Sequence, residues 1–251
     1  MKKRIVCTSY TIRTSVARPM RIALCSDLHD NKYERALALL EEYAPDLIAI
    51  PGDIGEEERD LNARGLAFMR SCAALAPTVF ALGNHDKAFN SYADTAAYIR
   101  DSGVILLDDE DVFLQNIWIG GLTTGFRNRK REGYFTPAPR PNLEWLDKVF
   151  CQREGFKILL SHHPEYYEPY FRQRDIQLVL SGHAHGGHWQ FCGRGVLAPG
   201  QGFLPRYTYG VHDNRLVISR GMGDHTFIPR IGNPREIVMI DLRPYGAADE
   251  M

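Results

Sequence analysis

Arg21–Asp53 reads RIALCSDLHDNKYERALALLEEYAPDLIAIPGD. Two apolar runs, RIALC and LIAI, each end abruptly in polar residues. They flank YERALALLEEY, whose apolar positions recur at helical spacing. This is the β–α–β order of a parallel-sheet unit. The order continues through LNARGLAFMRSCAAL (61–75), TVFALGNHD (78–86) and SYADTAAYIRDSG (91–103). A second series follows, with VILLDD (104–109), DVFLQNIWIGGLT (111–123), a helix around PNLEWLDKVFCQRE (141–154), FKILLSHHP (156–164) and IQLVLSGHAHGG (176–187). Beyond His188 the pattern turns to strands, in GVLAPG, NRLVISRG and REIVMIDLRP, separated by glycine and proline turns.

The remainder of the chain bounds the class. At 251 residues it can bury a sizeable core, and without a linker, an internal repeat or a low-complexity tract it is expected to form one domain over residues 1–251. The N-terminal MKKRIVCTSYTIRT starts basic, as an export signal does, but then alternates apolar and polar and is interrupted by Arg13, so it reads as a strand. No window holds eighteen consecutive apolar residues, which argues against a transmembrane helix. A net charge of −1 predicts no general affinity for nucleic acid or anionic surfaces. Five scattered cysteines, with no CxxC or CxxH pair, fit a reducing compartment better than a disulfide framework or a zinc ribbon.

In an open α/β sheet, ligands bind beyond the carboxyl ends of the strands. Five apolar runs here end in residues able to ligate a metal: Asp27 and His29, Asp53, Asn84 and His85, His162 and His163, His183 and His185. Any one of these histidines, read alone, is an ordinary structural residue; five such endings in succession describe a site. Glycine precedes the ligand in Gly52-Asp53, Gly83-Asn84 and Gly182-His183, as a tight turn with close backbone approach requires. Carboxylate, imidazole and amide donors without thiolate favour Mn²⁺, Fe²⁺/Fe³⁺ or Zn²⁺ over Ca²⁺ or an iron–sulfur cluster. So many donors exceed one tetrahedral ion and point to two divalent ions sharing a carboxylate.

The ordered set DLH, GD, GNHD, SHHP and GHAHGG resembles the calcineurin-like metallophosphoesterase superfamily, whose pattern is D-x-H, G-D, G-N-H-D/E, H and G-H-x-H. The segments APGQGFLPRYTYG and SRGMGDHTFIPRIGNPREIVMI are similar to the end of a bacterial branch that includes membrane-anchored phosphodiesterases. The resemblance implies an α/β fold, a four-layered α/β/β/α sandwich with a di-metal site at the strand C-terminal ends. It implies one ion held by Asp27, His29, Asp53 and His185, and a second held by Asp53, Asn84, His162 and His183, with Asp53 bridging. His85 would face the substrate as a catalytic imidazole, and Asp86 would be the carboxylate orienting it. The reaction implied is hydrolysis of a phosphodiester or pyrophosphate by a hydroxide bridging the ions. Rival readings are a UDP-diacylglucosamine-type pyrophosphatase, a cyclic-nucleotide phosphodiesterase, or a non-catalytic metal-binding scaffold.

Four further residues are candidates for substrate contact. His163 either touches substrate or packs beside a ligand. His188 stands where relatives commonly carry glutamine, and either lines the pocket or pairs with a backbone carbonyl. Arg129 lies in the run RNRKRE (127–132), which is either solvated surface or a cap for an anionic or amphiphilic substrate. Tyr166 belongs to EYYEPYF (165–171), whose aromatics either wall the pocket or pack. His212 and His225 have no motif around them and read as structural. The expected partner is a phosphorylated small molecule or lipid, with no specific nucleic acid and no feature that specifies an oligomeric state. The expected location is the cytoplasm, with peripheral membrane contact through the aromatic and basic loops as the second option.

Overall fold

Leu47–Ile50 is apolar at every position because both of its faces are covered. Ile48 and Ile50 pack with Leu39, Leu40, Phe68, Met69 and Cys72 of the helices. Leu47 and Ala49, pointing the opposite way along a period-two strand, pack with Ile158, Leu160, Leu178 and Leu180 of a second sheet. In the computed structural model, which describes residues 4–55, 63–86, 92–124, 134–224 and 228–246, this alternation builds the architecture.

The first half runs β1 (Ile5–Thr14), β2 (Met20–Leu24), α1 (Glu34–Tyr43), β3 (Leu47–Ile50), α2 (Ala63–Leu75), β4 (Thr78–Ala81), α3 (Tyr92–Asp101) and β5 (Ile105–Leu107). Next come β6 (Glu110–Leu114), β7 (Ile117–Leu122), α4 (Leu143–Lys148), β8 (Lys157–Ser161) and β9 (Leu178–Ser181). Two small hairpins follow, β10 (Gln190–Phe191) with β11 (Arg194–Gly195), and β12 (Leu197–Ala198) with β13 (Gly202–Phe203). The chain closes through β14 (Gly210–His212), β15 (Leu216–Ile218) and β16 (Arg235–Pro244).

Among the described residues these strands form two six-stranded sheets, ordered β1-β16-β2-β3-β4-β5 and β14-β15-β9-β8-β7-β6. Strands β2 to β5 run parallel, as do β7, β8, β9 and β15. Helices α1 to α3 cover the first sheet, and the two sheets face each other across a core of Ile, Leu and Val. The outer face of the second sheet is covered by Leu146 and Phe150, at and just after α4, and by Tyr166, Tyr167 and Phe171. This is the four-layered α/β/β/α sandwich that the resemblance implied. Each fully buried Leu, Ile or Phe in its three interlayer cores contributes roughly 1.5–3 kcal/mol.

Three segments differ in detail from their sequence reading. DVFLQNIWIGGLT is a hairpin, because Gln115 and Asn116 both adopt left-handed conformations (φ 49° and 69°) and reverse the chain between β6 and β7. The helix around PNLEWLDKVFCQRE keeps only six residues before Val149 leaves helical geometry, and it resumes as a 3-10 turn at Phe150–Gln152. EYYEPYF coils into a 3-10 turn followed by a π turn.

Candidate metal centre

The carboxyl ends of β2, β3 and β4 in one sheet meet those of β8 and β9 in the other, and the expected ligands leave the strands there. Cross-sheet hydrogen bonds hold the two ends together. His162 Nδ1 lies 2.8 Å from the Pro51 carbonyl, and the His183 amide donates to both oxygens of Asp27 at 3.1 Å. Asp27 and His29 are tied to the β3 loop through Asp27 N–H to Gly52 O and His29 N–H to Asp53 O, each 3.2 Å. A Cβ on Gly83 would land on the Asp53 carboxylate, and one on Gly182 would land on Asp27, so glycine is required where the sequence has it.

Turning these side chains into the mouth strains the backbone. Asp27, His29, Asp53, His183 and His185 all have positive φ, between 46° and 64°. For residues with a Cβ this costs roughly 1–2 kcal/mol each. Against a typical net stability of about 5–15 kcal/mol the sum is substantial, and such strain concentrates at functional sites.

The side chains converge. His162 Nε2 is 3.1 Å from Asp53 Oδ2, and the same oxygen lies 3.9 Å from His29 Nε2 and 3.8 Å from His85 Nε2. Asp27 Oδ1 lies 3.7 Å from His185 Nε2 and 4.0 Å from His29 Nε2. Two acid–imidazole groups result, Asp27–His29–His185 and Asp53–His162–His183, and Asp53 also groups with His29 and His85. Asn84 points its buried Oδ1 at no hydrogen-bond donor among the described residues. Burying an unpaired carboxylate costs several kcal/mol, and Asp27 and Asp53 are at most 1% exposed. An orphaned amide oxygen beside buried carboxylates is what a cation would satisfy, so the residues fit divalent metal ions.

Electrostatics give the same answer. Burial opposes a charge on His162, yet Asp53 and Asp27 push its imidazole up to about 10. Burial works to raise Asp53 as well, but His162, His85 and His29 hold it well below the usual carboxylate range. Burial dominates at His183 and His185 and lowers both well below the usual histidine value, leaving them neutral at physiological pH. Without a cation, therefore, a proton on His162 balances the carboxylates. That proton must leave before Nε2 can ligate, so cation uptake should release about one proton below pH 10, and apparent affinity should weaken by up to about tenfold per unit as pH falls. Titration calorimetry in buffers of different ionisation enthalpy measures the release; none at pH 7 would contradict protonation of His162.

The other expected site residues are distributed unevenly. Asp86 accepts the amides of Asp53 (2.6 Å), Gly83 (2.9 Å), Ile54 (3.2 Å) and Gly55 (3.3 Å), and so locks the β3 and β4 loops to each other. Burial and the Asp53 charge raise its carboxyl to about 6. His188 engages the Tyr134 hydroxyl through Nε2 at 2.5 Å. His163 is fully buried against His162 and His183. Of EYYEPYF, read as either pocket wall or packing, Tyr166, Tyr167 and Phe171 are buried in the outer core, with the Tyr166 hydroxyl donated to the Pro139 carbonyl. His212 bonds the Tyr209 carbonyl, a structural role as expected. Arg129, the rest of RNRKRE, and His225 lie outside the described residues.

Two residues of IPRIGNPRE also serve the site, although the sequence reading assigned no role to either. Asn233 Nδ2 donates to the carbonyls of His185 (2.7 Å) and His188 (3.1 Å). Arg230, buried and paired with Asp224, donates to His185 Nδ1 at 3.0 Å. An arginine only donates, so the neutral His185 ring carries its proton on Nε2, and it can hold a cation there only if the Arg230 contact opens.

Comparison with known proteins yields a consistent set. The family model described as calcineurin-like phosphoesterase matches residues 20–187. An uncharacterised metallophosphoesterase of Campylobacter jejuni is 28% identical over 229 residues, covering 88% of this chain and 57% of its own length. One from Aquifex aeolicus is 28% identical over 266 residues, covering 94% and 91%. A transmembrane protein with a metallophosphoesterase domain from Danio rerio is 26% identical over 249 residues, covering 89% and 53%. The chain thus spans little more than half the length of the first and third of these relatives.

Proposed function

Because the chain belongs to the calcineurin-like phosphoesterase family, we propose that it hydrolyses a phosphodiester or pyrophosphate bond with two divalent cations gathered where its two sheets meet. The observation that carries this reading is the Asp53 carboxylate, whose Oδ2 lies 3.1 Å from His162 Nε2 in one acid–imidazole group and 3.9 Å from His29 Nε2 in the other. Asp27, His29, Asp53 and His185 would hold one ion, and Asp53, Asn84, His162 and His183 the other; Mn²⁺, iron and Zn²⁺ suit such donors. When bound, a pair of cations supplies Lewis acidity: it lowers the pKa of a shared water and neutralises phosphoryl oxygens. The protein contributes the rest. Asp86 keeps the Asp53 and Asn84 loops in register, and His85, beside Asp53 without belonging to the expected ligand set, donates to the leaving oxygen as charge develops on it.

An amphiphilic substrate is favoured by what lies outside the centre. A chain of contacts runs from His185 to His188 (ring centroids 5.7 Å apart), through Tyr134 to Phe135 (5.2 Å), and on to Phe203 (5.3 Å). Phe203 and Leu204 at its outer end are 71% and 78% exposed. A phosphoryl group at the buried end and an apolar tail along this rim would use both, and the same rim would let the protein rest on a bilayer.

The test is a panel of an aryl phosphodiester, a lipid pyrophosphate in vesicles, a cyclic nucleotide and an aryl monoester, each with Mn²⁺. The diester and the lipid pyrophosphate should be cleaved. Changing Phe203 and Leu204 to serine should raise KM for the lipid and leave the aryl diester unaffected, since binding energy remote from the reacting atoms enters KM. Preference for the monoester, or no effect of the serines on the lipid, would reject the amphiphile.

A further inference from the structure

Histidines that ligate a cation through one nitrogen almost always donate the other N–H to a fixed acceptor, which sets the ring's orientation and basicity. His162 has such an acceptor in the Pro51 carbonyl. His183 has none among the described residues; its Nε2 is buried and unpartnered. Beside it lies a pair with unspent capacity. Glu165 Oε1 is 3.1 Å from His163 Nδ1, while Glu165 Oε2 and His163 Nε2 are both buried without a hydrogen-bond partner. The His163 and His183 rings meet edge-on with centroids 4.0 Å apart, and ligand-type atoms of His163, Glu165 and His183 all lie within 4.8 Å of one another.

We infer that Glu165 is the positioning residue of His183, and that His163 positions Glu165. His163 donates its Nδ1–H to one carboxylate oxygen. With the cation bound, the other oxygen, which has no hydrogen-bond partner among the described residues, accepts the N–H of His183, whose remaining lone pair is thereby aimed into the site. This gives work to a histidine that otherwise only packs next to a ligand, and to a glutamate two residues beyond it. Backbone geometry supports the arrangement: Pro164 starts the 3-10 turn that returns Glu165 toward His163, and Gly200 leaves room for the carboxylate, since a Cβ there would sit 2.7 Å from Oε1.

The inference rests on the reading of His183 as a ligand of one of two ions, and the experiment separates the two ideas. Mn²⁺ binding to the unsubstituted protein, Glu165→Gln and His163→Gln is followed by titration calorimetry and by electron paramagnetic resonance, with thermal midpoints taken on the metal-free proteins. Glu165→Gln keeps the shape but replaces the charged acceptor of the His183 N–H with a neutral amide, which raises the ring's basicity less. It should weaken one of the two binding events about 10–100-fold, leave the other near its original affinity, and replace the coupled two-ion spectrum with a single-ion one. His163→Gln, which can still donate to Glu165, should show a smaller loss at the same event. Unchanged affinities in Glu165→Gln would overturn the inference. So would equal weakening of both events with a lowered metal-free midpoint, which marks a merely structural role. Three equivalents in the unsubstituted protein would also overturn it, by making His163, Glu165 and His183 a cation site of their own. Fewer than two equivalents there would reject the two-ion reading on which it stands.

Discussion

Asp53→Ala should bind neither cation tightly and should lose activity by several orders of magnitude. Its carboxylate lies near both acid–imidazole sets: Oδ2 approaches His162, His29 and His85, and Oδ1 accepts the His85 amide at 2.9 Å. Alanine leaves each proposed ligand set one donor short and removes a negative charge from between them, so neither half is expected to retain its ion alone. Folding should suffer less. The unpaired His85 amide costs about 1–3 kcal/mol, while removal of a buried carboxylate works in the opposite direction. Metal content after dialysis, with circular dichroism to confirm the fold, tests this. Two tightly held ions and near-normal turnover would mean that Asp53 is not the shared ligand.

His85→Asn should separate ligation from proton donation. With His85 acting on the leaving oxygen, the variant should keep both ions and lose on the order of 10²–10⁴ in rate. The deficit should narrow for nitrophenolate, which departs without a proton. His85 Nε2 lies 3.8 Å from Asp53 Oδ2, and the imidazole groups with Asp53 and His29, so the same variant also tests whether His85 is itself a ligand. Loss of an ion from His85→Asn, or an equal deficit for good and poor leaving groups, would remove it from the role of acid.

The site could be read from the sequence to the extent that it obeys a local rule. Asp27, Asp53, Asn84, His162 and His183 each follow a short apolar strand within a few residues, so placing the strands places the donors. Residues that act through tertiary geometry carry no such mark. Arg230 and Asn233 reach the centre from the loop before β16, and nothing in IPRIGNPRE indicates that its side chains meet His185. The aromatics of EYYEPYF were ambiguous for a related reason: a run following a ligand can turn either way, and the 3-10 and π turns direct Tyr167 and Phe171 into the outer core. The β6–β7 hairpin was hidden because Gln115-Asn116 makes its turn without the glycine that usually announces one. The four layers were implied by the resemblance that the motifs carry, and strands apolar at every position, which require cover on both faces, agree with it.

The pairing of β1 with β16 sets an order of events during synthesis. Ile5 pairs with Arg235 and Thr14 with Pro244, and β16 also lies against β2, so the first sheet stays divided until the chain beyond β15 has left the ribosome. The loop before β16 closes over the centre as well, through Met222 N–H to Ser26 O and Gly223 N–H to Asp27 O. Contacts of such long sequence separation form slowly, and an unpaired β1 is an exposed edge in the meantime. A nascent chain that already carries Asp27, Asp53 and His162 therefore still lacks the loop that packs over them, and assembly of the centre waits for β16.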